Sequence, residues 1–423
     1  MKPSIALTMA SLEPGRHPGV INRWAAKLLQ RQLAQLEAGE IVLVDGEAQR
    51  FGRITADFPV SVRIDVRHPS FYGYTVFGGS VGAAEGYMAD AWRCSDLVGL
   101  VRIMVRNRRV LDGLDGGVFA QFAGPVRNLL HAWNRNTEAG SQRNIAAHYD
   151  LGNDFFKLFL DETMMYSCAL FERPDMSLQE AQIAKLERIC QRLALKPGDR
   201  VIEIGTGWGG FAIHAASRYG CHVTTTTISE QQYQLAAERI RAAGLEDRIT
   251  LLKQDYRKLE GQYDKLVSIE MIEAVGHHYY QTFFRQCGHL LKPDGLMLVQ
   301  AITINDRHYR RARDEVDFIK RYIFPGSCIP AITALVGAAT RASDLQLIHL
   351  DDIGPDYAIT LRHWREALMA RLDEVRAQGY TEPFIRLWEF YFAYCEGGYA
   401  ERALGDIHLL MAKPLYRGAV PHV

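Results

Sequence analysis

One stretch offers chemistry before any other: Gly205-Thr206-Gly207-Trp208-Gly209-Gly210, directly after the apolar run RVIEI and before the helical run FAIHAASRYG. Glycines let the backbone turn tightly and approach a ligand, and the helix start that follows offers free N–H groups. A strand, a glycine loop and a helix in this order suit a nucleotide-like ligand. Two ligands compete. A dinucleotide wants G-x-G-x-x-G and an acid at the end of the second strand. Here the spacing is G-T-G-W-G, and the second strand ends Thr225-Thr226-Thr227-Ile228-Ser229 with no acid before Glu230. S-adenosylmethionine is the better match. Gly205 and Gly207 are then expected against it, with the Thr227 hydroxyl and the Gln232 amide at its ribose. Asp255, in KQDY, suits its adenine amino group, with Ile228 and Tyr256 among the same cofactor-binding residues. An ordinary turn aspartate is the competing reading of Asp255.

Elements that alternate must position these residues. From about residue 185 the strands RVIEI, HVTTTTI, ITLLKQ, DKLVSIE and GLMLVQAIT are separated by helical runs, and DIHLLMA closes the series. Such alternation implies crossover units on a parallel sheet, an open doubly wound α/β fold whose ligands sit at the carboxyl ends of its strands. Ahead of it, 21–36 is spaced as a helix, IVLVDGEAQRFGRI and SVRIDVRH alternate as short strands, and DLVGLVRIMVRNRRVLDGL is helical. These describe a small α+β unit over 1–120, a linker over 121–144, and a catalytic domain over 145–423. The last carries an insertion over 304–350, followed by helices over 361–377 and 383–396.

The chain has 423 residues, 48% of them hydrophobic, enough for more than one core. Lys+Arg 49 against Asp+Glu 49 leaves no net charge, which removes the global electrostatic argument for nucleic acid. Seven scattered cysteines without a CxxC pair suit reduced thiols in a cytoplasmic chain rather than disulfides or zinc. His277-His278 has no carboxylate–histidine motif, and adjacent histidines on a helix are expected to point apart; no metal is expected. The uncharged run YIFPGSCIPAITALVGAAT is interrupted by Pro325, Gly326 and Pro330, so it reads as a buried or lipid-facing loop and a short helix.

HYDLGNDFF, MMYSC, VIEIGTGWGG, SIEMIEAVGH, RYIFPG and Tyr357-x-x-Thr360-Leu361-x-x-Trp364 follow one another along the chain. Over about 145–415 this series resembles the cyclopropane-fatty-acid synthase family, with its related mycolic-acid methyltransferases. The first 120 residues look like the small N-terminal lipid-handling domain of the bacterial synthases, through GGSVGAAEGYMADAW. The resemblance implies a class I S-adenosylmethionine-dependent methyltransferase fold. It implies methyl transfer to a cis double bond of a phospholipid acyl chain, leaving a carbocation that loses a methyl proton and closes to a ring. A bound bicarbonate ion is the implied base, held by Cys168 through its backbone or thiol, Glu273, the Ile302 backbone and Tyr357. Gln300 matches a family position that is often histidine; it donates hydrogen bonds but carries no charge. His148 is the alternative imidazole, and Glu270 the alternative acid to Glu273. Tyr166 and Ser167 resemble residues at the methionine end of the donor. Phe155, Phe156, Tyr166, Phe171, Tyr279, Tyr280, Phe283 and Phe284 are candidates to face the cation, with core packing as their competing role.

The resemblance also implies unsaturated phospholipids and the inner face of a membrane as partners, and it admits a homodimer. Arg102, Arg106, Arg108 and Arg109 beside Ile103, Met104 and Val105 would suit a helix at an anionic surface, or a solvated face. The 323–336 segment is a second lipid-contact candidate. A methyl- or methylene-branching enzyme of the same fold is the near rival, and a non-catalytic lipid-binding protein the rival from another class.

Overall fold

The structure is a computed structural model that describes residues 19–115 and 151–420. The 121–144 linker and His148 lie outside the described residues. The chain divides into two units. One comprises residues up to Trp133, Asp314–Pro325 and Trp364–Ala403; the other comprises Asn134–Arg313, Gly326–His363 and Leu404–Val423.

In the first unit, strands β1 (Gly39–Asp45) and β2 (Glu47–Arg53) form an antiparallel hairpin. Strand β3 (Ser61–Val66) runs parallel to β1, and β4 (Trp92–Cys94) antiparallel to β3, giving the order β2-β1-β3-β4. The glycine- and aromatic-rich stretch is helical over Ser70–Met88, broken at Gly79, whose φ of 58° and ψ of −141° suit glycine alone. Its small residues permit close approach: a Cβ on Gly82 would lie 2.0 Å from the Tyr74 carbonyl oxygen. Helix Leu97–Arg106 is capped by the Asp96 carboxylate, which accepts from Gly99 N–H at 2.9 Å. It lies close to helix Glu382–Ala400, where a Cβ on Gly397 would meet Val101 Cβ at 2.7 Å.

Two expectations change here. Residues 314–325 and 364–403 join the first unit and not the catalytic one, because periodicity shows a helix but not which core it enters. Two of the four arginines proposed for a membrane surface are also already partnered. Arg102 and Arg106 donate to the two oxygens of Glu401 at 2.7 and 2.6 Å, and Arg106 stacks 4.1 Å from the Phe58 ring centroid.

The second unit is the doubly wound α/β fold. Its strands are β5 (Arg200–Ile204), β6 (His222–Thr227), β7 (Ile249–Lys253), β8 (Tyr263–Ile269), β9 (Leu291–Ile304), β10 (Gln346–Asp352) and β11 (Leu404–Ala412). They lie in the order β10-β11-β9-β8-β5-β6-β7. Strands β5 to β9 are mutually parallel, β11 is antiparallel to β9, and β10 to β11. Val201, Ile202 and Ile204 are buried, as a strand covered on both faces requires. The winding reverses between β5 and β8, and a crevice for a ligand opens at the carboxyl ends of strands at such a point. Strand β10 begins inside the expected insertion and runs just past its end; its residues are exposed or only partly buried, so no buried apolar run announces it. The 323–336 segment ends in helix Ile332–Ala342, and Cys328, Ala331 and Leu335 are buried as core residues. Among the described residues no helix is long and apolar enough to cross a membrane.

Gly82→Ala should destabilise the protein by about 1–3 kcal/mol, because the Tyr74 carbonyl cannot give way without moving backbone. Gly78, with nothing within 4 Å of an added Cβ, is the control. Thermal unfolding should show a lowered midpoint for Gly82→Ala and little change for Gly78→Ala. Equal midpoints would contradict the close approach.

Candidate active site

Strand β5 delivers the glycine loop. Gly205, Gly207 and Gly209 have φ of 103°, 54° and 87°, values that side-chain-bearing L-residues rarely adopt. The loop is pinned from β6: Gly205 and Thr206 donate their N–H groups to the Thr226 carbonyl at 3.2 and 2.9 Å. Beneath it the Thr206 and Thr225 hydroxyls lie 2.6 Å apart, and Thr225 donates to Glu203 at 2.5 Å. Arg239 clamps the far side, donating to the Trp208, Thr163 and Glu162 carbonyls at 2.7, 3.1 and 2.8 Å. The Trp208 indole N–H donates to Asn153 at 2.7 Å, tying the loop to the described part of HYDLGNDFF. Phe156 stands between Trp208 and Tyr166, with ring centroids 5.0 and 5.4 Å away, so Tyr166 belongs to the aromatic wall beside the loop. Phe155, Phe156, Phe283 and Phe284 are fully buried core.

The other donor-binding candidates gather at the ends of β6 and β7. The Thr227 hydroxyl donates to the Gln232 amide oxygen at 2.8 Å, so the two expected ribose partners hold one another. Ser229 caps helix Glu230–Ala242, and Ile228 is partly exposed. Asp255 is held by Arg257 at 2.8 and 2.6 Å and accepts its N–H at 3.0 Å. Burial raises that carboxyl, but the Arg257 hydrogen bonds outweigh it and keep Asp255 below the ordinary carboxylate range. Asp255 is thus a turn aspartate in this structure; an adenine contact has to be made alongside Arg257. Tyr256 stacks under the same guanidinium, 5.5 Å from ring to charge. Ser167 is buried, and its hydroxyl accepts from Lys185 Nζ at 2.6 Å.

S-adenosylmethionine fits this loop: the glycine φ values cannot carry ordinary side chains without strain, and a Cβ on Gly207 would meet nothing within 4 Å. A Cβ on Gly205 would meet Met271 at 3.2 Å, which places the loop directly against the segment that follows β8.

That segment carries Glu270, which is partly exposed and has φ of 45°, a left-handed conformation in a residue that is not glycine. Its carboxylate gathers three donors from three parts of the chain. Cys168 N–H and Gln300 Nε2 donate to Oε1 at 2.7 and 2.8 Å, and the Tyr357 hydroxyl donates to Oε2 at 2.7 Å. Gln300 sits on β9 opposite His408 of β11. Its amide also donates to Asp406 at 3.1 Å, and its oxygen lies 3.2 Å from His408 Nε2. Tyr357 comes from helix Gly354–Ala370, where Thr360 accepts Ala169 N–H at 3.1 Å and steadies the chain after Cys168.

The expected anion ligands therefore divide. Cys168, Gln300 and Tyr357 meet at Glu270, whereas Ile302 N–H donates to Glu273 at 2.6 Å. Glu273 is buried, and burial followed by the Glu270 charge lifts it to about 8. It is protonated at neutral pH, and its Oε2 finds no partner among the described residues. Glu273, expected among the ligands of the anion, thus sits on Ile302 N–H and apart from the donors that meet at Glu270. The Cys168 thiol, also buried, donates to the Ala169 carbonyl at 3.2 Å and is held far above its ordinary pKa by burial; its backbone, not its sulfur, serves the site. The implied bicarbonate does not fit, because three of its expected donors already hold a carboxylate of the chain itself. His277 and His278 do not point apart: on the short 3₁₀ turn His277–Tyr279 their ring centroids are 3.8 Å apart.

Sequence reasoning missed Asp406, His408 and Lys185, all buried beneath the cluster. Burial first, then the Glu270 charge, keeps Asp406 well above the carboxylate range, while burial drives His408 down to about 3 and leaves it neutral. The available signal was DIHLLMA itself, where two polar residues two apart share one face of an otherwise apolar strand.

The description of the mycolic acid cyclopropane synthetase family matches residues 136–409. Tuberculostearic acid methyltransferase of Mycobacterium tuberculosis is 37% identical over 328 residues, 76% of this chain and 76% of that protein. Cyclopropane-fatty-acyl-phospholipid synthase of Escherichia coli is 36% identical over 359 residues, 84% of this chain and 88% of that protein. Among solved structures, a mycolic acid cyclopropane synthase in complex with SAH and CTAB is 31% identical with a TM-score of 0.60, covering 64% of this chain and 98% of the other. The motifs quoted from the sequence thus stand on the fold that they implied, and the chain belongs to the mycolic acid cyclopropane synthetase family, as an S-adenosylmethionine-dependent methyltransferase.

Proposed function

We propose that this cyclopropane synthase adds one carbon from S-adenosylmethionine across a cis double bond in an acyl chain of a membrane phospholipid. The observation that carries the reading is the contact between the two halves of the site. Gly205, in the donor loop, lies against Met271, next to the polar cluster on Glu270. When bound there, the donor supplies an electrophilic methyl group on sulfur. The chain's own residues then have three tasks. The left-handed glycine loop and the clamp of Arg239 fix the donor's orientation, since an alkene is a weak nucleophile and needs near-attack geometry. The aromatic wall, in which partly exposed Tyr166 is backed by buried Phe156 and Trp208, keeps water from the carbocation, with the Tyr166 ring as its aromatic neighbour. The polar cluster receives the proton.

The Escherichia coli relative supports a phospholipid substrate, and exposed Val20, Ile21 and Trp24 on helix Gly19–Leu33 support peripheral contact with a bilayer at the cytoplasmic face. With Arg102 and Arg106 bound to Glu401, that contact relies more on apolar side chains than on those cations. A homodimer belongs to the reading only through the family. The tuberculostearic acid methyltransferase relative favours a second reading, in which the same cation ends as a methyl or methylene branch.

Purified full-length chain given S-adenosylmethionine and vesicles of unsaturated phospholipid should yield lipids heavier by one CH2, and fragmentation distinguishes ring from branch. Saturated vesicles should give no product; equal modification of saturated chains would contradict the reading. Gly205→Val should abolish donor binding in calorimetry, since a β-branched residue is strained at φ of 103° and its side chain would meet Met271. Unchanged affinity would remove the glycine loop as the donor site.

A further inference from the structure

We infer that the Glu270 carboxylate is itself the proton acceptor, in the place where the family resemblance implies a bound bicarbonate ion. This rests on the methyl-transfer reading above and names the base within it. Cys168 N–H, Gln300 and Tyr357, three of the donors expected to hold a separate anion, all donate to Glu270 at 2.7–2.8 Å. Both oxygens are engaged, and a second anion at those donors would have to displace the side chain.

The backbone gives an independent sign. Glu270 stands at φ of 45°, where glycine sits freely and an L-residue costs about 1–2 kcal/mol. A side chain kept at that position must be held by what it touches, which is the three donors and, behind them, the buried Asp406 carboxyl. Its neighbours are poorer acceptors. Glu273 is buried on Ile302 N–H, Asp406 lies behind the Gln300 amide, and the Cys168 thiol points to the Ala169 carbonyl. Glu270 alone of these acids is partly exposed, and it adjoins Met271 against the donor loop.

The step balances. After methyl transfer, one C–H bond of the new methyl group breaks. Its electron pair bonds to the cationic carbon and closes the ring, and the proton forms an O–H bond on Glu270. In the branching alternative a hydride first shifts from the methylated carbon to its cationic neighbour; the C–H pair of the new methyl group then forms a carbon–carbon double bond to the carbon left cationic, and the proton has the same destination.

Activity on unsaturated phospholipid vesicles, assayed in buffer freed of carbon dioxide and again with added bicarbonate, tests the inference. The wild-type chain should turn over equally in both. Glu270→Gln should lose about a hundredfold or more in kcat, the scale of general-base catalysis, with S-adenosylmethionine affinity within about twofold of wild type. Glu270→Gly relieves the left-handed residue but strands the three donors, so its melting point is compared with that of Glu270→Gln; it should be inactive without added anion, and partial recovery on bicarbonate would support the inference further. Wild-type activity that collapses without bicarbonate and returns with it would overturn the inference, as would a Glu270→Gln variant with wild-type kcat. A wild-type chain inactive on every lipid under both conditions would instead overturn the methyl-transfer reading on which the inference stands.

Discussion

The arrangement of the site depends on one carboxylate held by donors from distant parts of the chain. Glu270 follows β8, Cys168 precedes the first helix of the second unit's sheet, Gln300 lies on β9 and Tyr357 on a helix after β10. None of these elements is bonded to all the others through its backbone, so the carboxylate is a shared anchor. A charged group taking three hydrogen bonds in a partly buried setting gains more from each than a neutral acceptor would. It also suffers more when one is removed, because the remaining charge stays desolvated.

Glu273 and Asp406 lie close enough to feel Glu270; burial together with that charge lifts Glu273 to about 8 and holds Asp406 well above the ordinary carboxylate range. His408 is neutral behind Gln300, and Lys185, lowered to about 8 by burial, supplies a cation against Ser167. Like charges sharing a small site cannot all ionise. Gln300 suits this setting better than histidine: one amide nitrogen donates to Glu270 and Asp406, while its oxygen faces His408. An imidazole has no second hydrogen on the same nitrogen and cannot bridge two acids that way.

Much of the architecture was legible in the sequence. Continuous apolar strands separated by helical runs identified the parallel sheet, and the glycine loop identified its switch point. Strand β10 was hidden because an edge strand with few buried residues has no strong pattern, and the helices over 364–403 were visible without any sign of the unit they join. The site was half legible. Cys168, Gln300 and Tyr357 come together, but SIEMIEAVGH offers two glutamates three residues apart, and the choice between them turns on the backbone at Glu270. No propensity favours a left-handed glutamate, so nothing local could say that its side chain, and not that of Glu273, would reach Cys168. Asp406 and His408 were missed because their partner is a cross-strand neighbour, and pairing is a property of the folded sheet.

The central claim is that a side chain of this protein, and not a diffusible ion, fills the acceptor position. A high-resolution crystal structure of the chain with S-adenosylhomocysteine, grown in bicarbonate, examines that position directly. The account predicts continuous density from the Glu270 backbone to a carboxylate within hydrogen-bonding distance of Cys168 N–H, Gln300 and Tyr357. A separate planar anion on those three donors, with Glu270 turned away, would contradict it.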